Sequence, residues 1–145
     1  MGIFVNPDNS AFQRALNSRI YVDKTGLLEE MNSVLDTEQC CICNSRPRRF
    51  GKSITANMMT AYYSCGCDSI KLFESTKISK SEQFLEHLNR YDVIHLDVQW
   101  CSMEAGRAEG TVSYIIQKVL VELRLEFSQV QLLEKTTLSG ALAQI

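Results

Sequence analysis

The stretch that most constrains this chain is Ser45-Arg46-Pro47-Arg48-Arg49-Phe50-Gly51-Lys52-Ser53. It lies between a short apolar run, Gln39-Cys40-Cys41-Ile42-Cys43, and a run with helical spacing from Lys52 to Tyr63. Strand, tight loop, Gly-Lys-Ser and helix is the order in which a phosphate-binding loop works. The N–H groups of such a loop face a phosphate, and the following helix directs the positive end of its dipole to the same place. Lys52 would reach the terminal phosphates as a flexible point charge and is the one candidate for a catalytic role. The Ser53 hydroxyl would ligate Mg²⁺, a hard cation that prefers oxygen. The string departs from G-x-x-x-x-G-K-[ST] at one position, because Arg46 replaces the first glycine. That glycine normally permits a turn that a side chain resists. The competing reading is a basic loop that caps a helix, and the strand-loop-helix context favours the phosphate loop.

A chain of 145 residues fits one domain. With 45% hydrophobic and 22% charged residues it has the composition of a soluble globular protein. A net charge of -2 argues against a chain-wide nucleic-acid footprint, which would be basic. The basic cluster of Arg46, Arg48, Arg49 and Lys52 is explained by a phosphate pocket. The N-terminal sequence shows no basic segment followed by an apolar one, and no apolar run is long enough to span a bilayer. The expected location is therefore the cytoplasm, where the six cysteines would be thiols.

In chain order, residues 1–20 read as an irregular lead-in with a helical turn from Phe12 to Leu16. Leu27, Leu28 and Met31 then fall at helical spacing, with Asp23 or Thr25 as the cap. Tyr21 and Val22, just before that helix, are candidates to lie against an adenine ring; the alternative is a capped surface helix. Gln39 to Cys43 reads as a central strand, since parallel strands buried on both faces are continuous apolar runs. Ile54, Met58, Ala61 and Tyr62 mark one face of a helix that ends near Ser64-Cys65-Gly66. Residues 68–80 read as loop with Leu72 and Phe73 as anchor, and 81–88 as a helix. Asp92 to Val98 reads as a second strand, which a right-handed crossover would place parallel to the first. Val112, Ile115, Ile116, Val119, Leu120, Leu123 and Phe127 form the strongest amphipathic pattern, and 129–145 look helical in pieces. The expected fold is α/β, P-loop NTPase-like: a partial parallel β-sheet flanked by helices.

Three stretches in this order, Tyr-Val-Asp-Lys-Thr at 21–25, the 45–53 string and Val-Ile-His-Leu-Asp at 93–97, resemble the AAA-ATPase-like domain, a bacterial and archaeal family of P-loop ATPases. Its phosphate loop typically reads R-P-R-R-F-G-K-S, so Arg46 in the glycine's place becomes a family trait. The likeness spans nearly the whole chain. It implies an ATP-binding domain with Mg²⁺, and a nucleotide site built from Arg46, Pro47, Arg48, Arg49, Phe50, Gly51, Lys52, Ser53 and Ile54 together with Tyr21 and Val22. Longer relatives often carry a nuclease-like domain, the only expected route to nucleic acid, and nothing in this sequence represents it. The family's Walker B strand, ending in Asp-Glu, is expected beyond Ile145. Residues 1–145 then read as the front portion of one domain, an ATPase when complete, with weak nucleotide binding at best, negligible hydrolysis by itself and a tendency to self-associate. Asp97 has the apolar-then-Asp shape of a Walker B acid, but His95 interrupts the run and Val98 follows where Glu is wanted.

Cys40-Cys41-x-Cys43 and Cys65-x-Cys67 are spaced poorly for zinc and read as core and loop thiols. His87, on a surface helix, and His95, on a strand, read as structural. The alternative function is a protein-interaction or nucleic-acid-binding module that uses the basic loop 46–52.

Overall fold

In the computed structural model, which describes residues 2–132 and 136–145, helices follow one another from end to end. They are α1 (Ser10–Leu16), α2 (Gly26–Asn32), α3 (Lys52–Tyr63), α4 (Ile70–Phe73), α5 (Phe84–His87), α6 (Val98–Glu104), α7 (Thr111–Glu126) and α8 (Leu138–Leu142). Short 3₁₀ turns occupy Lys77–Lys80 and Ala108–Gly110. The chain forms two compact units, Pro7–Val93 and Met1–Asn6 with Ile94–Ile145.

No sheet forms among the described residues, which corrects the expected α/β fold with its partial parallel sheet. Gln39–Cys43 has no strand pairing and is exposed throughout. A strand exists only through ladder partners, and no described segment supplies them. The run is also weakly apolar, with three of its five residues cysteine and one glutamine. Cys40, Cys41 and Cys43 are thus exposed thiols rather than a buried strand, while Cys101 is buried. At 92–98 the expected second strand is reduced to one antiparallel bridge, between Val5 and Ile94. A parallel bridge joins Ser64 to Tyr91. Val98 begins α6, because the Asp97 carboxylate accepts the Trp100 N–H at 2.9 Å and caps that helix.

The Pro7–Val93 unit is built around α3. Its buried face carries Met58, Ala61 and Tyr62, while Ile54, placed on the same face by the spacing, is exposed; that face meets Phe12 of α1, Leu28 and Met31 of α2, Phe73 of α4 and Phe84 of α5. Each such side chain contributes about 1.5–3 kcal/mol when removed from water. Phe12 stacks on Phe73 at 5.1 Å between ring centroids, and Tyr62 meets Phe73 edge-on at 5.4 Å. The buried hydroxyls are satisfied: Tyr62 donates to the Phe84 carbonyl at 2.9 Å and Tyr63 to Asn32 Oδ1 at 2.8 Å. Burial raises both phenol pKa values above the ordinary tyrosine range. At the far end of α3, Asn89 sits at φ +55°. Its amide donates to the carbonyls of Ala61 and Ser64 at 3.0 and 2.7 Å, satisfying acceptors where the helix stops at the extended Ser64. His87, expected on a surface, is buried, and its Nδ1 is hydrogen-bonded to the Tyr91 hydroxyl.

The other unit is organised by α7, the helix with the strongest sequence pattern. Val119 and Leu123 pack with Phe4, Val5, Cys101 and Ala141, and Ile115 packs against this cluster. Val119 and Leu123 are thereby buried. The Glu122 carboxylate accepts the N–H groups of Ile3, Phe4 and Val5 at 3.0, 2.8 and 2.8 Å, tying the N-terminal segment to α7. Of the stretch 129–145, expected to be helical in pieces, Leu138–Leu142 is helix; residues 133–135 lie outside the described residues. Among the described residues no helix is long and apolar enough to cross a membrane.

Candidate functional site

Helix α3 begins at Lys52, with Gly51 as its N-cap residue at φ +80°, ψ +24°. This left-handed conformation is open to glycine and resisted by residues with a Cβ. Two residues earlier, Arg49 is also left-handed, at φ +67°. The loop thus turns sharply twice before the helix starts. Gly51 has no side chain, and among the described residues no side chain caps the helix. The first N–H groups of α3 therefore keep their donors open at the positive end of a twelve-residue helix. The Gly51 carbonyl is held by the N–H and hydroxyl of Thr55 at 2.9 and 3.1 Å.

Two lysines brace the loop. Lys52 Nζ donates to the Arg46 carbonyl at 2.7 Å, spanning the loop from its helical end to its start. Lys24 Nζ donates to the Phe50 carbonyl at 3.0 Å. An ammonium has three donors, so each retains capacity for an anion. The rest of the string is open to solvent: Arg46, Pro47, Arg48, Arg49, Phe50, Lys52, Ser53 and Ile54 are all exposed.

The segment 21–25 is fixed residue by residue. Tyr21 packs edge-on to Phe12 at 6.1 Å, and its phenol pKa is pushed up to about 12 by burial, with the nearby Asp23 charge adding to it. Asp23 accepts the Thr25 N–H and hydroxyl at 2.8 and 2.7 Å and the Lys77 N–H at 2.8 Å. Its partial burial favours the neutral acid, but these hydrogen bonds and the Lys77 charge outweigh that and hold its pKa below the usual value. Thr25, fully buried, accepts the Ile78 N–H at 3.1 Å and precedes α2. Val22 is left exposed.

These two segments wall one cavity of about 300 Å³. Tyr21, Val22 and Lys24 line it from one segment and Arg49, Phe50, Gly51 and Ile54 from the other, with Ala15, Ser18, Ile20, Thr55 and Met58 completing it. The structure therefore brings Tyr21 and Val22 together with four of the loop candidates. Arg46, Pro47, Arg48, Lys52 and Ser53 stay on the loop without lining the cavity. Sequence reasoning passed over Lys24, although it stands inside the Tyr-Val-Asp-Lys-Thr string; only the distance to Phe50 reveals it. Asp97 is occupied as the cap of α6. Among the described residues no three His, Cys, Asp or Glu side chains group as a metal site.

A family model described as Predicted AAA-ATPase matches residues 10–145. The chain belongs to the AAA-ATPase-like family. The match includes both the 21–25 segment and the 45–53 loop, so the cavity lies within the family's own domain. No curated protein and no solved structure matches the chain.

Proposed function

We propose that this AAA-ATPase-like chain binds ATP, with its phosphates at the 46–53 loop and its base in the cavity. The observation that carries the reading is that one cavity is walled by the Tyr21–Lys24 segment and by the glycine end of the basic loop. Its size suits a purine and its sugar, and pockets of a few hundred Å³ are typical of small-ligand sites. Tyr21, Val22, Phe50 and Ile54 supply the apolar and aromatic wall for the base. The open N–H groups at the start of α3 and the ammonium of Lys52 supply the phosphate end. The residues fit Mg²⁺ in one respect: Ser53 is exposed at the start of α3, where its hydroxyl would hold the ion beside the phosphates. Bound there, Mg²⁺ would neutralise phosphate charge. Lys52 would release the Arg46 carbonyl and turn to the nucleotide, giving the loop a closed free form. The proposal is one of binding, and no acid of this chain is assigned to orient water for hydrolysis.

The test is titration of a fluorescent ATP analogue with and without Mg²⁺, for the wild type and Lys52→Ala. The wild type should bind, more tightly with Mg²⁺, and Lys52→Ala should lose at least about tenfold, the worth of one charge-assisted hydrogen bond. Equal binding by both proteins would contradict the phosphate-loop reading. Retention of DNA with a steep salt dependence, and none of ATP, would favour the nucleic-acid alternative.

A further inference from the structure

We propose that Lys24 is a second phosphate-binding cation, delivered to the loop by the base-side segment, and that it makes the site select polyphosphate nucleotides. This rests on the ATP-binding reading of the cavity. Lys24 lies outside the loop string and approaches it from a different segment. Its Nζ is 3.0 Å from the Phe50 carbonyl, and a Cβ placed on Gly51 would stand 3.4 Å from the same atom. The ammonium therefore sits beside the left-handed turn that opens α3, where the helix N–H groups await an anion. Lys24 also lines the cavity itself, which Lys52 does not.

The surroundings of Lys24 position it for this. Asp23 is turned away, its carboxylate engaged by Thr25 and the Lys77 N–H. Thr25 is locked in the core and holds the Ile78 N–H. With neighbours fixed on its C-terminal side, Lys24 needs only side-chain rotation to exchange a neutral carbonyl for a phosphate oxygen. That exchange is favourable, since hydrogen bonds between ionised partners are roughly twice as strong as neutral ones. A nucleoside offers no such acceptor, so the contribution of Lys24 should grow with the number of phosphates. It would also couple the halves of the site: the segment bearing Tyr21 and Val22 is drawn to the loop through the same residue.

The experiment compares adenosine, AMP, ADP and ATP binding for the wild type, Lys24→Met, Lys24→Arg and Lys52→Ala. Lys24→Met should lose about tenfold or more for ATP and ADP, a clearly larger loss than for adenosine, and Lys24→Arg should recover most of it. In parallel, acylation of the wild-type chain by an N-hydroxysuccinimide ester, read by mass spectrometry, should show Lys24 protected by ATP and unprotected by adenosine. Equal losses for adenosine and ATP, or a Lys24 acylated equally with and without ATP, would overturn the proposal and leave Lys24 a structural latch. If the wild type binds ATP and Lys24→Met binds it as well, the inference fails and the ATP reading stands. If the wild type binds no nucleotide, the ATP reading fails first.

Discussion

Replacing Gly51 by alanine tests the loop geometry, and two other glycines supply the controls. An L-residue in the left-handed region costs about 1–2 kcal/mol, while the alanine's stiffer unfolded chain returns about 0.4–1 kcal/mol. The net loss for Gly51→Ala is then about 0–1.6 kcal/mol, with a midpoint of about 0.8. No steric clash adds to it, because the nearest atom to the new Cβ would be Lys24 Nζ at 3.4 Å. Gly106, at φ +72° with nothing within 4 Å of a new Cβ, should suffer a similar loss in the other unit. Gly26, at the start of α2 with an unhindered Cβ position, should gain slightly as alanine. The assay is urea unfolding with two probes. The chain has one tryptophan, Trp100, which reports on the unit holding Gly106. Four of the five tyrosines, Tyr21, Tyr62, Tyr63 and Tyr91, lie in the unit holding Gly51, so the tyrosine near-UV signal reports mainly on it, and Tyr114→Phe removes the fifth. Relaxing the Gly51 turn should also misplace the first N–H groups of α3 and weaken ATP binding about tenfold, the loss expected for one hydrogen bond to a charged group. Gly106→Ala should leave binding unchanged. A Gly51→Ala protein with wild-type stability and affinity would refute the reasoning, as would a Gly106→Ala protein that binds as poorly as Gly51→Ala.

Asp23→Asn should destabilise the Pro7–Val93 unit by about 1–3 kcal/mol, since the three donors on its carboxylate lose an ionised acceptor. Because the folded pKa of Asp23 is depressed, its stabilisation is present above the ordinary aspartate pKa and is lost as pH falls through the folded value, so acid titration of the wild type should show a loss that Asp23→Asn lacks. Glu122→Ala should release the N–H groups of Ile3, Phe4 and Val5 and lower the stability read by Trp100 by about 1–3 kcal/mol, leaving the tyrosine transition in place. Asp97→Ala should cost about 1 kcal/mol as a lost helix cap, whereas Asp97→Asn, also a good cap, should be nearly neutral in stability and in any phosphate release; a phosphate release abolished by Asp97→Asn would restore Asp97 as a metal-positioning acid.

The long amphipathic runs were legible because one face of each is buried over several turns: α3 spans twelve residues and α7 sixteen. The loop stood out as a string because its residues are contiguous, and the structure gives it a left-handed turn at Gly51 before α3. Strands were not legible. Gln39–Cys43 and Asp92–Val98 are too short for periodicity to decide, and a strand depends on partners that lie elsewhere in the chain. At 97 a local rule prevailed: aspartate three residues before an N–H is a helix cap, and the helix it starts consumes the end of the expected strand. The four-residue helices at 70–73 and 84–87 are held by Phe73 and Phe84 in the core rather than by their own propensity. Of the residues that line the cavity, Tyr21, Val22, Arg49, Phe50, Gly51 and Ile54 were already candidates from motif and resemblance. Lys24 was not, because its part depends on a contact across twenty-six residues.

A single ATP site walled by the 21–24 segment and the 49–54 loop can be checked by photolabelling with 8-azido-ATP and mapping the modified peptides. The label, carried on the base, should fall on residues 20–24 and 50–54, should require intact Lys52, and should be displaced by unlabelled ATP. Labelling spread over the chain, or confined to segments outside the cavity and indifferent to Lys52→Ala, would contradict it.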